Sequence, residues 1–100
     1  MATSLKALAR GTFGTSSATL YTVPASTTAI VTNITICNTT AAAMGFYILI
    51  DGVQLFSNSQ ISAYTTLVVD LKQVIATTKI VAGYADASGL KYHISGAEVA

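Results

Sequence analysis

Charge is what this sequence has least of. Only 9% of its 100 residues are Asp, Glu, Lys or Arg, five basic against four acidic, where an average soluble domain carries roughly 25%. The net charge is +1 and the basic residues are scattered. Nucleic-acid binding needs Lys and Arg clustered against phosphates, so no nucleic-acid partner is expected. Cys37 is the only cysteine. No internal disulfide can form and no thiolate metal site can be assembled, and a lone thiol suits synthesis in a reducing cytoplasm. Apolar runs are short as well. The longest, Ala41–Ile50, is ten residues broken by Gly45, against about 18–20 for a spanning helix. Met1–Arg10 lacks the apolar stretch of a secretory leader. Neither a membrane partner nor export is expected.

What remains is apolar and strand-forming. Hydrophobic residues make up 52% of the chain, which excludes intrinsic disorder. The length suits one small domain, residues 1–100. A small domain with so few charges must have its surface covered by partners or wetted by Thr, Ser and Asn. Thr is the commonest polar residue, with Val, Ile and Tyr throughout, a composition that favours strands.

Alternation with a period of two recurs along the chain. Ile30, Thr32, Ile34 and Ile36 share one face of a segment whose other face holds Val31, Asn33, Thr35 and Cys37. Leu67, Val69 and Leu71 alternate with Thr66, Val68 and Asp70, and Leu90, Tyr92 and Ile94 with Lys91, His93 and Ser95. Turn residues punctuate these runs. Asp51-Gly52 is the strongest hairpin signal, because a type I′ turn needs positive φ at both central residues. Pro24 ends one strand, and Asn38-Thr39-Thr40, Asn58-Ser59, Ala76-Thr77-Thr78 and Asp86-Ala87-Ser88-Gly89 mark the other breaks. The spacing predicts eight strands near 5–13, 18–23, 28–38, 43–50, 53–57, 65–71, 79–85 and 90–98. Leu71–Ile75 fits one helical turn as well as a strand end. The fold expected is an all-β, jelly-roll-like β-sandwich of antiparallel strands, with residues 1–10 as an N-terminal arm.

The segment Met44–Ile50 is apolar on both faces, Met44, Phe46, Ile48 and Ile50 against Gly45, Tyr47 and Leu49. Such a strand is covered on both sides. The cover is either a loop or arm of the same chain, or a second subunit.

Chemistry-bearing residues are sparse. His93 alternates outward from Tyr92 and Ile94, and Ser95 shares its face. No Gly-x-Ser-x-Gly elbow accompanies them, so a polar face or contact residue is the reading taken, and no enzyme is expected. Asp51 and Asp86 sit in turns, Asp70 lies beside Lys72, and Glu98 is near the end of the chain; no pairing suited to glycoside hydrolysis stands out. No loop holds the acidic ligands calcium needs. Cys37 reads as a small, partly buried hydrophobe. No cofactor or metal is expected. Asn33-Ile34-Thr35 and Asn38-Thr39-Thr40 match glycosylation sequons, which matter only in a secretory pathway. Tyr21, Tyr47, Tyr64, Tyr84 and Tyr92 serve either as strand filler or as contact residues, a role Tyr suits by being rigid and amphipathic. The candidate subunit-contact residues are Leu5, Leu8, Tyr47, Leu49, Phe56, Tyr64 and His93.

Three phrases tie the chain to a wider group. Thr19-Leu-Tyr-Thr-Val-Pro-Ala25 precedes a strand ending in Asn38-Thr39, and Ser95-Gly-Ala-Glu-Val99 closes the chain. This succession resembles small virion proteins of tailed bacteriophages. The resemblance implies a β-sandwich used as a virion building block, made in the bacterial cytoplasm and located in the virion. It further implies a capsid decoration or cement protein bound to the major capsid protein or other virion proteins and to copies of itself, with a trimer favoured. A tail, collar or fibre component that binds host glycans or a receptor is the alternative. That role would gather polar or aromatic residues in exposed loops such as Phe56–Tyr64 or Asp86–Leu90.

Overall fold

Asp51 and Gly52 carry φ angles of 52° and 76°, the left-handed pair that closes a two-residue hairpin. The rest of the chain is paired around this turn. The computed structural model describes residues 3–100. Its strands are β1 (Thr3–Thr12), β2 (Ala18–Thr22), β3 (Thr28–Asn38), β4 (Met44–Ile50), β5 (Val53–Ile61), β6 (Thr66–Ile75), β7 (Ile80–Ala85) and β8 (Leu90–Val99). Among the described residues there is no helix. β4 pairs with β5, β3 with β6, β2 with β7 and β1 with β8, all antiparallel. This is one long double-stranded hairpin, rolled up until β3 also meets β8 and β4 meets β7. Two four-stranded sheets result, ordered β1-β8-β3-β6 and β2-β7-β4-β5. That is the jelly-roll arrangement of a β-sandwich.

The inner faces supply the core. Ala29, Val31, Ile34 and Ile36 of β3 are fully buried, as are Phe46 and Ile48 of β4, Val81 of β7, and Leu90 and Ile94 of β8. Phe13, from the β1–β2 connection, inserts between the sheets. Its ring lies 4.9 Å from that of Tyr92 and 6.3 Å from that of Phe46. Gly83 on β7 leaves the room: a Cβ there would stand 2.8 Å from the Phe13 ring.

Two expectations need correction, and one open alternative is decided. The face of β3 changes midway, because Thr32 is an extra residue in its pairing with β8: Val31 lies opposite Gly96 and Asn33 opposite Ser95. The bulge moves the core face from odd to even positions. Ile30 therefore points outward with Asn33 and Thr35, not inward with Ile34. Asn58-Ser59 does not end a strand. Asn58 takes φ of 50° inside a bulged β5 that runs on to Ile61. Leu71–Ile75 is strand rather than helical turn, because Ile75 pairs with Ala29 and is buried at the end of the core. The arm expected over residues 1–10 lies partly outside the described residues. From Thr3 onward it is paired along β8 of the same chain as the edge strand β1.

The loops at one end are tied by Asn38, the one buried polar side chain among the described residues. Its Nδ2 donates to the carbonyls of Ala42 at 2.8 Å and of Ile61 and Ser62 at 3.2 Å. Its Oδ1 accepts from the Thr40 amide at 2.9 Å and the Thr40 hydroxyl at 2.7 Å. One side chain thus joins the β3–β4 loop to the β5–β6 loop.

Candidate functional site

Pairing across the first sheet arranges its outer face in rows. Thr3, Val99 and Thr28 lie opposite one another at the start of β1, and the first row to cross all four strands is Leu5, Ala97, Ile30 and Val74. Every member is apolar. Leu5 is 87% exposed and Val74 68%, while Ala97 is shielded by its neighbours. The next row, Ala7, Ser95, Asn33 and Asp70, turns polar; Asn33 Nδ2 donates to Asp70 Oδ1 at 3.1 Å. Arg10, His93, Thr35 and Val68 follow, and then Thr12, Lys91, Cys37 and Thr66. One end of this face is therefore a charge-free apolar band and the other carries Arg10, His93 and Lys91. Ile30 joins the band only because of the bulge at Thr32, which shifts it off the core face.

The outer face of the second sheet has a different character. Tyr47 and Tyr84 are register partners on β4 and β7. Their rings stack with centroids 4.4 Å apart and planes 9° from parallel. Next to them is Gly45, and three polar side chains lean into the space its missing Cβ leaves. A Cβ at Gly45 would lie 2.0 Å from Asn58 Oδ1, 2.7 Å from Gln60 Nε2 and 2.7 Å from Asp86 Oδ2. Gly45 N donates to Asp86 Oδ2 at 3.2 Å, and Gln60 Nε2 donates to Asn58 Oδ1 at 3.0 Å. Partial burial, then the Asp86 carboxylate, then Tyr84 push the Tyr47 phenol above its ordinary value. On this face the two-faced strand Met44–Ile50 is flanked by side chains from β5 and β7 and by the Asp86 turn, with Tyr47 and Leu49 left half-buried.

A third polar group sits between the sheets at the edge where β1 and β2 meet. Glu98 accepts from Lys6 at 2.8 Å and from the Tyr21 hydroxyl. Glu98 is nearly buried, while Lys6 remains half exposed. The bonds from Lys6 and then Tyr21 hold the Glu98 carboxyl below its ordinary range, against the effect of burial. Burial first, and the Glu98 carboxylate second, raise the Tyr21 phenol well above its ordinary value. The group latches β2 of one sheet to β8 and β1 of the other.

The seven residues singled out from the sequence do not form one site. Leu5 and the exposed His93 share the outer face of the first sheet, in different rows. Tyr47 and Leu49 are half-buried on the outer face of the second. Phe56 leans inward, its ring 5.4 Å from that of Phe46, and Leu8 sits at a bulge of β1 and packs against the core. Tyr64 is 73% exposed in the β5–β6 loop with φ of 53°. Sequence reasoning missed Ile30, Ala97 and Val74, and it did not join Asn58, Gln60 and Asp86 to Tyr47. Among the described residues no three His, Cys, Asp or Glu side chains gather as metal ligands. No helix there is long and apolar enough to cross a membrane. No protein-family model matches the chain, and no curated protein matches it in sequence.

Proposed function

We propose that this chain is a virion structural subunit, a capsid decoration protein that associates with copies of itself through the outer face of its first sheet. The observation that carries the reading is the row Leu5, Ala97, Ile30 and Val74, an apolar band crossing all four strands of a chain with 9% charged residues. The exposed ends of the band are Leu5 and Val74, with half-buried Ile30 and the nearly buried Ala97 between them, and grouped apolar residues at a surface mark interaction sites in soluble proteins. A second copy is the occupant because an isologous contact sets a patch against itself. A band without charge meets its copy with no like-charge repulsion, whereas the Arg10, His93 and Lys91 end would not. The resemblance to tailed-phage virion proteins supplies the setting. A subunit that binds only the assembled shell stabilises it by mass action, and weak contacts repeated over a lattice add through multivalency.

Two measurements test this. Sedimentation equilibrium of the purified chain should give an oligomer, and Leu5→Lys with Val74→Lys should return it to monomer without loss of strand content. A monomeric native chain at high concentration refutes the self-contact. Quantitative mass spectrometry of purified particles should then find a copy number on the scale of the capsid lattice. A copy number on the scale of one tail would move the chain to a tail, collar or fibre, and absence from particles would end the virion reading.

A further inference from the structure

We infer that the outer face of the second sheet binds a neutral saccharide, at the cluster formed by Tyr47, Tyr84, Asn58, Gln60 and Asp86. The inference goes beyond the structural role proposed above and does not rest on it, since the two faces lie on opposite sides of the sandwich.

Three features carry it. The first is the stacked pair Tyr47 and Tyr84, 4.4 Å between centroids. Both residues are half-buried on the outer face, so part of each side chain meets solvent; a sugar offers an apolar C–H face to an aromatic ring and hydroxyls around its rim. The second is the convergence over Gly45. Asn58, Gln60 and Asp86 come from β5 and the β7–β8 turn, yet all three reach one point that any Cβ at position 45 would fill. Their internal bonds, Gly45 N to Asp86 Oδ2 and Gln60 Nε2 to Asn58 Oδ1, leave Asp86 Oδ1, Gln60 Oε1 and Asn58 Nδ2 to meet a ligand. Two acceptors beside a donor match adjacent hydroxyls, each of which gives one hydrogen bond and takes others. The third is how the cluster is held. The bulge in β5, with Asn58 at φ of 50°, turns that amide toward Gly45 before any ligand arrives, which lowers the ordering cost of binding.

Charge selects the class of ligand. Asp86 is the only ionised side chain of the five, so phosphate, sulfate and uronate groups would meet a carboxylate with no cation in the cluster. A neutral hexose or N-acetylhexosamine fits the donor and acceptor set.

The test is amide chemical-shift mapping of the intact chain with methyl glycosides of glucose, mannose, galactose and N-acetylglucosamine, with methyl glucuronide and glycerol as controls. At least one neutral glycoside should shift the amides of Gly45, Tyr47, Asn58, Gln60, Tyr84 and Asp86, saturating in the millimolar range. Asp86→Ala should weaken it by about tenfold, the worth of a hydrogen bond to a charged group. Asn58→Gly, which tolerates the positive φ, and Gln60→Ala should each weaken it by a smaller factor, with the rest of the spectrum unchanged. Methyl glucuronide should bind more weakly than methyl glucoside. No shift with any neutral glycoside overturns the inference. So do shifts that survive Asp86→Ala and Gln60→Ala together, that glycerol reproduces, or that lie on the first sheet. The same titration on the monomeric Leu5→Lys, Val74→Lys chain separates this result from the fate of the self-contact.

Discussion

Replacing Asn38 by Ala should be among the most damaging single polar changes in this protein. The side chain is 1% exposed; the two hydrogens of Nδ2 are shared among three carbonyls, and Oδ1 accepts from the Thr40 amide and hydroxyl. Alanine removes the partner of the Ile61 and Ser62 carbonyls and of the Thr40 amide, while the Ala42 carbonyl keeps the Thr40 hydroxyl at 3.0 Å. A buried polar group left without its partner costs about 1–3 kcal/mol. The Ala42 and Ser62 carbonyls lie in loops that water can reach after relaxation, whereas Ile61 is 3% exposed and its carbonyl is the one left dry. Counting that group in full and the others in part puts the loss at about 3 kcal/mol. For a domain of this size each kcal/mol lowers Tm by roughly 4–8 °C, so the expected fall is about 12–24 °C. Asn38→Asp is the informative companion. It keeps the shape and the acceptor for Thr40 but turns the donor into a second oxygen facing three carbonyls, so it should be no more stable than the alanine variant at neutral pH. It should also recover on acidification, as protonation restores a donor. Thermal melts by circular dichroism over a pH series read both effects. A fall in Tm below about 4 °C for Asn38→Ala, worth under 1 kcal/mol, would show that the two loops are not held together through this side chain.

Other outcomes follow from the same packing. Gly96→Ala should fail to fold, since the new Cβ would stand 1.9 Å from the backbone oxygen of Ile30 in the middle of the β3–β8 ladder. Overpacking ordinarily costs about 1–3 kcal/mol, and here no flexible side chain can give way; soluble yield and strand signal are the readouts, and a native-like melt would contradict the close approach. Glu98 has a folded-state pKa below its ordinary value of 4.5. Its contribution is therefore complete above about pH 5 and is lost as pH falls through the folded value. Tm should drop on acidification in the native chain, and Glu98→Gln should flatten that slope; equal slopes would remove the Lys6–Glu98–Tyr21 latch from the account. Tyr47 should ionise above its ordinary value of 10 in a tyrosine-resolved NMR titration. Asp86→Asn should bring it down, and an unmoved titration would mean that the carboxylate does not act on the ring pair.

Strand boundaries were largely legible because two local signals agreed. Period-two alternation marked the half-buried segments, and Asp51-Gly52 could close only one kind of hairpin. The errors share a cause. At Thr32 the alternation continues smoothly through the sequence, yet the pairing with β8 does not, because Val31 takes Gly96 and Asn33 takes Ser95. A bulge is decided by the strand opposite, and its effect is to reverse every face beyond it. The break read at Asn58-Ser59 is the same kind of error, a left-handed residue absorbed inside β5 instead of ending it. Leu71–Ile75 was ambiguous alone and became strand once Ile75 met Ala29 across the ladder. Candidate sites were less legible still. Tyr47 and Leu49 stood out as the second apolar face of their segment, but Asn58, Gln60 and Asp86 reach Gly45 only because β5 and β7 flank β4. Phe56 was read as a contact residue at the start of a loop, and it turns inward because β5 runs on past it and pairs it with Ile48.

The bulges therefore connect sequence to function more than they perturb it. Without the extra residue at Thr32, Ile30 would stay in phase with Ile34 and Ile36 and point into the core. The outer band would then lose its third member, and Leu5 and Val74 would be separated exposed residues of the kind every protein surface carries. Asn58 and Gln60, two residues apart, share the outer face by ordinary alternation, and the left-handed Asn58 at the β5 bulge sets its amide close over Gly45. Bulges also blunt an edge strand against indiscriminate pairing, a need sharpened here by the low charge. The bulge at Thr32 thus completes the apolar band on one side of the sandwich, and the bulge in β5 lies within the polar-aromatic cluster on the other. Local rules fail in a chain of this kind where a site is being built, and the two faces should be separable by mutation for that reason. Changes at Leu5 and Val74 should leave the environment of Tyr47 untouched, and changes at Asn58 or Asp86 should leave self-association untouched.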